Sequence, residues 1–141
     1  MIEAAFEDIA ISGDGNHFLV LLKSQQGDIL PISIGHLEAM SIAAGRAKEN
    51  LQRPMSHDLM LSMLQMLDAT INRIEITDLQ DNVFYAKLVL NNRGIEIDID
   101  ARPSDALALA VRVDAPIWIE EGVLESAALS DFAEGSGSAE A

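Results

Sequence analysis

Seven polar side chains in this 141-residue chain have types and spacing that could do chemistry. Asp98 and Asp100 alternate with Ile97 and Ile99, so both acids share one face of a strand, about 7 Å apart. Glu96 extends the same face. Carboxylates spaced in this way can share a hard cation such as magnesium or manganese. A solvated acidic strand face is the other reading, because exposed acids are the common case. Arg102 and Asp105 follow at a corner of the chain. A guanidinium can grip phosphate oxygens through two parallel hydrogen bonds, and a helix N-terminus beside it adds N–H donors. Equally, Arg102 can pair with Asp100, Asp105 or Asp58 and pin the corner. His57 and Asp58 are adjacent. An imidazole can ligate metal or shuttle a proton near neutral pH; the plain alternative is that this pair merely starts a helix.

The elements that must position these groups follow from the pattern. Ile95, Ile97 and Ile99 alternate with acids up to Asp100, the period of a half-buried strand. At Arg102-Pro103 the period changes to helical, with Ala106, Leu107, Leu109, Ala110 and Val111 as the apolar set. Pro103 suits a first helical position, and Asp105 meets the positive end of the helix dipole. Ser104 has no recognisable general base beside it, so hydrogen bonding at the helix start is its expected role. The helix should stop near Asp114, ahead of Ala115-Pro116.

Upstream, strands are expected over Ala4–Ile11, Phe18–Leu22 and Ile29–Ile34, with turns at Gly13-Asp14-Gly15-Asn16 and Gln25-Gln26-Gly27-Asp28. A helix opens at Gly35-His36 and should run to about Asn50. Ser56 reads as the N-cap of the next helix, which is apolar nearly all round from Leu59 to Leu67. Such a helix is either central in the core or part of a subunit interface. Strands at Ile71–Thr77 and Val83–Leu90, a short strand at Ile117–Ile119 and a brief helix at Val123–Ala128 complete the body. Three strands then a helix occur twice, about 67 residues apart, so that Glu38 falls on Asp105; chance likeness of two amphipathic units is the alternative. The fold class is therefore α+β, with mostly antiparallel strands in two hairpin-rich groups, packed helices and a candidate β-β-β-α duplication. Residues 1–129 form the domain, and the acidic Gly/Ser tail at 130–141 is expected to be disordered.

Asp100-Ala101-Arg102-Pro103-Ser104-Asp105-Ala106 resembles the core motif of the bifunctional nuclease family. Arg53-Pro54-Met55-Ser56-His57-Asp58-Leu59 is similar to that family's Arg-Pro-x-Ser/Thr-His-Asp-Leu motif. Pro31-Ile32-Ser33-Ile34-Gly35 with Glu38-Ala39 resembles a third family segment. The resemblance covers roughly Met1 to Ala128 and implies a nuclease that hydrolyses phosphodiester bonds in DNA and RNA, with metal assistance. On that footing Asp100, Arg102, Asp105, His57 and Asp58 would form the catalytic site, and Asp98, Asp100 and Asp105 would hold magnesium or manganese.

Composition bears on the partners. Nine Lys+Arg stand against 23 Asp+Glu, a formal net charge of −14. Proteins that hold nucleic acid by its phosphates present a basic patch, and here the basic residues are scattered singly. The charge therefore favours a second class of function, a non-catalytic oligomeric binding or scaffold protein with an acidic surface. There is no cysteine, which excludes disulfides and thiolate metal sites. With no signal-peptide pattern and no run of membrane-spanning length, a cytoplasmic protein is expected. The apolar Leu59–Leu67 helix points to a homo-oligomer, most simply a dimer.

Overall fold

The computed structural model describes residues 1–129 and 139–140. The expected disorder of the tail falls largely outside the described residues. Three strands open the chain: β1 (Ile2–Ile11), β2 (Phe18–Ser24) and β3 (Ile29–Ile34). They form an antiparallel meander, and helix α1 (His36–Arg46) follows. After α2 (Ser56–Met66) the same arrangement returns as β4 (Ala69–Gln80), β5 (Val83–Asn92), β6 (Ile95–Ala101) and α3 (Pro103–Val113). Strand β7 (Ile117–Ile119), helix α4 (Glu121–Ala127) and the two-residue β8 (Ala139–Glu140) complete it. The fold is α+β, as the alternation of strand and helix periods implies.

The β-β-β-α unit occurs twice in register. His36 and Pro103, which begin α1 and α3, lie 67 positions apart, as do Ile2 and Ala69, and Ile34 and Ala101. The two units share one continuous sheet. Strand β7 joins them, antiparallel to β1 and parallel to β4. The order β4-β7-β1-β2-β3-β8-β5-β6, with a further β4–β5 pairing, curls the sheet back on itself and leaves β6 on the outside of β5.

The core lies between this curled sheet and the helices. Val20, Leu22, Leu30, Ile32, Ile74, Ile76 and Ile119 are fully buried on its inner side. Helix α3 is the central one, with Pro103, Ser104 and Ala106 to Ala110 all buried. Helix α3 packs against α1, whose buried residues include Ala39, Ile42 and Gly45. At the far end Lys48 Nζ donates to the carbonyls of Val111 (2.8 Å) and Arg112 (3.0 Å), satisfying orphan acceptors at the C-terminus of α3.

Several local expectations are corrected. Helix α1 ends at Arg46, earlier than Asn50, because Lys48 takes a left-handed conformation (φ 54°). Met55, not Ser56, is the N-cap of α2; its N–H is held instead by Asp58 at 2.9 Å. Ser104 makes no helix-start hydrogen bond: its Oγ is buried without a partner among the described residues. Helix α2 is not central. Leu61 and Leu64 pack against the core, while Leu59, Met63, Met66 and Leu67 are exposed.

Candidate active site

Helices α1, α2 and α3 each place an acid at the third helical position: Glu38, Asp58 and Asp105. A carboxylate there lies beside unpaired N–H groups and the positive helix end. The three acids make different contacts. Asp58 reaches back to its own N-cap N–H. Glu38 folds over Gly35, so that a Cβ at Gly35 would fall 2.5 Å from Glu38 Oε2. Asp105 instead meets Arg102, the N-cap residue of α3.

Arg102 donates from Nε to Asp105 Oδ2 (3.0 Å) and from Nη2 to Asp105 Oδ1 (3.2 Å). Its Nη1 lies 3.4 Å from Glu38 Oε1. The equivalent acids of the two repeated units therefore hold one guanidinium between them. His57, projecting from α2, closes the arrangement: its Nε2 lies 3.0 Å from Asp105 Oδ1. Its other ring nitrogen, Nδ1, is 2.6 Å from Ser41 Oγ on α1.

The hydrogen bonds run in one direction. Arg112 Nη2 donates to Ser41 Oγ (3.2 Å). The Asp105 carboxylate can only accept, so His57 Nε2 carries a proton and donates to it; in the tautomer with its single proton there, Nδ1 accepts from the Ser41 hydroxyl. Arg112 is itself anchored by Asp58 Oδ1 (2.8 Å), the Ala108 carbonyl (2.7 Å) and the Ser41 carbonyl (3.0 Å). A Cβ at Gly45 would collide with Arg112 Nη1, so glycine there leaves room for the guanidinium. A continuous chain thus links two ion pairs, Asp58–Arg112 and Asp105–Arg102, through Ser41 and His57.

These contacts set the charge states. Burial works to raise the Asp105 carboxyl, but the hydrogen bonds of Arg102 and His57 outweigh it and hold its pKa below the ordinary value. The Arg112 hydrogen bond lowers Asp58, against burial and with help from the Met55 N–H. Arg102 is raised, first by Asp105 and then by Glu38.

Glu38, His57, Arg102 and Asp105, with Ser41 and Ser56, supply the polar lining of an open cleft of about 340 Å³. Leu37, Met40 and Met60 form its apolar wall. The Arg102 side chain is 56% exposed. Of the five N–H groups of a guanidinium, three bond Asp105 and Glu38, leaving two without a partner among the described residues. The cleft is not basic, since one guanidinium faces two carboxylates.

The structure therefore brings His57, Arg102 and Asp105 together and seats Asp58 behind them on Arg112. Asp98 and Asp100 are placed elsewhere. They stand on the exposed outer face of β6, where Asp98 Oδ2 lies 3.9 Å from Lys87 Nζ and Asp100 is in register with Lys87. Glu96 pairs with Arg73 at 2.9 Å. Neither Asp98 nor Asp100 lines the cleft. Among the described residues, no group of three or more His, Asp or Glu side chains is arranged to hold a metal ion. Asp105 is poorly suited to a resident hard cation, because both of its oxygens already accept from Arg102.

Ser41 and Arg112 were not picked out by the motifs. Arg112 had one signal: it is the only charged residue from Ala106 to Val113, so an otherwise apolar helix buries a cation that must find a partner. Ser41 had none, since a serine within an Ala-rich helix is unremarkable until a histidine from another helix meets it.

No helix among the described residues is long and apolar enough to cross a membrane. A family model described as the bifunctional nuclease domain matches residues 20–131. An uncharacterised protein of Mycobacterium tuberculosis is 38% identical over 130 residues, covering 92% of this chain and 77% of the relative. A protein named bifunctional nuclease 1 from Oryza sativa subsp. japonica is 25% identical over 112 residues, covering 76% of this chain and 34% of the relative. One named bifunctional nuclease 2 from Arabidopsis thaliana is 26% identical over 110 residues, covering 74% and 33%. The chain thus spans about a third of the length of these plant relatives.

Proposed function

The chain belongs to the bifunctional nuclease domain family, and from that premise we propose that it hydrolyses phosphodiester bonds of DNA and RNA in the cleft formed by α1, α2 and α3. The observation that supports this most is Arg102, exposed in the cleft with two N–H groups still available and held in place by Asp105. A substrate phosphate takes those two groups. As it draws the guanidinium, Asp105 loses part of the bonding that holds its pKa down and becomes the better base. His57 keeps the carboxylate oriented through Nε2. A water lying against Asp105 gives up its proton to the carboxylate and attacks phosphorus. The bond to the leaving oxygen breaks, and that oxygen takes a proton from solvent.

Because Asp105 is already engaged by Arg102, we assign metal assistance to a cation brought in on the substrate's phosphates rather than to a resident ion. Long-range repulsion between a chain of charge −14 and a polyanion remains, and added salt weakens it.

The non-catalytic binding reading retains one specific support: two carboxylates against one guanidinium make the cleft poor in positive charge. An assay separates the two. Highly purified protein is incubated with single-stranded DNA, double-stranded DNA and RNA, beside Asp105→Asn and Arg102→Ala prepared identically. Cleavage by the parent and loss in both variants supports the nuclease. Equal cleavage by all three proteins assigns it to a contaminant, and absence of cleavage moves the weight to the binding reading.

A further inference from the structure

We infer that a second copy of this chain docks on the exposed apolar side chains of α2 and β6, forming a dimer. The inference does not depend on the nuclease reading. Residues that flank β6 meet α2, or the residue just beyond it, near both ends of the strand. At one end Asn92, in register with Ile95, donates to the Leu67 carbonyl at 3.0 Å. At the other, His57 of α2 meets Asp105, just beyond the end of β6. Ile97 and Ile99 stand opposite Leu90 and Leu88, both core residues, so the three isoleucines face the core side of the sheet. Nevertheless Ile95, Ile97 and Ile99, with Leu59, Met63 and Met66 on α2, are between 41% and 84% exposed.

The size and charge of this face indicate what covers it. With Met60 and Leu67 included, it leaves on the order of 900 Å² open, against about 800 Å² per partner in a stable interface. From Leu59 to Leu67 there is no charged residue in a chain of net charge −14. A basic protein or a nucleic acid would be met by charge; a neutral apolar face is matched by another like itself, as in a two-fold contact. Methionines suit this, because their flexible side chains repack against an identical partner.

Edge-to-edge pairing of two β6 strands is disfavoured. Glu96, Asp98 and Asp100 line the outer face of β6, and an antiparallel pair of copies would set acids opposite acids. Face docking leaves that acidic strip in solvent. It also places the partner beside Met60, which is part of the cleft wall, so the second copy would narrow the mouth of the cleft.

The test is sedimentation equilibrium of the full chain at about 100 μM, well above a micromolar dissociation constant. A mass of two chains is expected. Raising salt should tighten the dimer by screening the like net charges. Met63→Glu, Met66→Glu and Ile97→Glu each place a carboxylate in the apolar contact and should weaken association at least about 100-fold. All three positions are exposed in the single chain, so circular dichroism and melting should hold, and three independent variants guard against one that fails to fold. Tyr85→Glu, exposed on the opposite face of the sheet, should leave the dimer intact. A monomeric parent, a mass other than two chains, or a dimer that survives all three face variants would overturn the inference. So would disruption by Tyr85→Glu alone.

Discussion

His57 Nε2 lies 3.0 Å from Asp105 Oδ1, joining α2 to α3 across 48 positions of sequence. Both partners have a second bond: Ser41 holds the other ring nitrogen, and Arg102 takes the remaining carboxylate oxygen. His57 therefore positions Asp105, and in the proposed nuclease the exposed cation beside them would meet the incoming phosphate.

Replacing Asp105 with asparagine keeps an acceptor for His57 but removes the charge that fixes Arg102. Cleavage should fall at least about 100-fold, the scale of a lost general base. Melting should shift by only a few degrees, since the charged hydrogen bonds lost are worth roughly 1.5–3 kcal/mol before solvent screening of the exposed Arg102. Parallel cleavage assays and thermal melts check both. Arg102→Lys should be milder than Arg102→Ala, because it retains the charge and loses the two-pronged geometry.

Arg112→Met is expected to be the most damaging single change to stability. The Arg112 side chain is 6% exposed and satisfies Asp58 and the carbonyls of Ser41 and Ala108. Removing it takes a donor from the Ser41 and Ala108 carbonyls and leaves Asp58 with only its Met55 N–H, at a cost of about 1–3 kcal/mol after solvent screening of the partly exposed carboxylate. Gly45→Ala should push in the same direction by displacing Arg112. Urea unfolding of both variants against the parent measures this, and an unchanged midpoint for Arg112→Met would refute the anchoring role.

Acid should unfold the protein partly through two named groups. Asp58 and Asp105 both have folded pKa values below the ordinary 3.8. A depressed folded value means the unfolded chain binds protons first as pH falls. The stabilisation is therefore complete above the unfolded value, and drains below about pH 4 through the folded values. The melting temperature should drop across that window, and Asp58→Asn should flatten part of the drop.

Metal removal should leave the folded protein unchanged. Dialysis against EDTA is expected to leave the melting temperature where it was. Calorimetric titration with manganese, without nucleic acid, should show no stoichiometric site, because Asp105 is engaged and Asp98 lies near Lys87. A single tight site abolished by Asp98→Asn and Asp100→Asn would instead put the metal, and the chemistry with it, on the outer face of β6.

The sequence by itself determined the elements and their repetition. Alternation at Ile95, Ile97 and Ile99, the change of period at Pro103, and turn residues between strands are local properties of the backbone and its side-chain spacing. They placed β6 and α3 where the structure has them, and a shift of 67 positions matched Glu38 to Asp105. Tertiary structure alone decided which polar groups meet. Asp100 and Asp105 share one short motif, yet strand pleat turns the first outward beside Lys87, while the helix turn sends the second into the cleft. Ser41 and His57 come together only because α1 and α2 both pack against α3. The apolar Leu59–Leu67 helix was open to two readings, core or subunit interface, and the curled sheet removes the first: its interior is already filled by α3, so α2 is left on the outside.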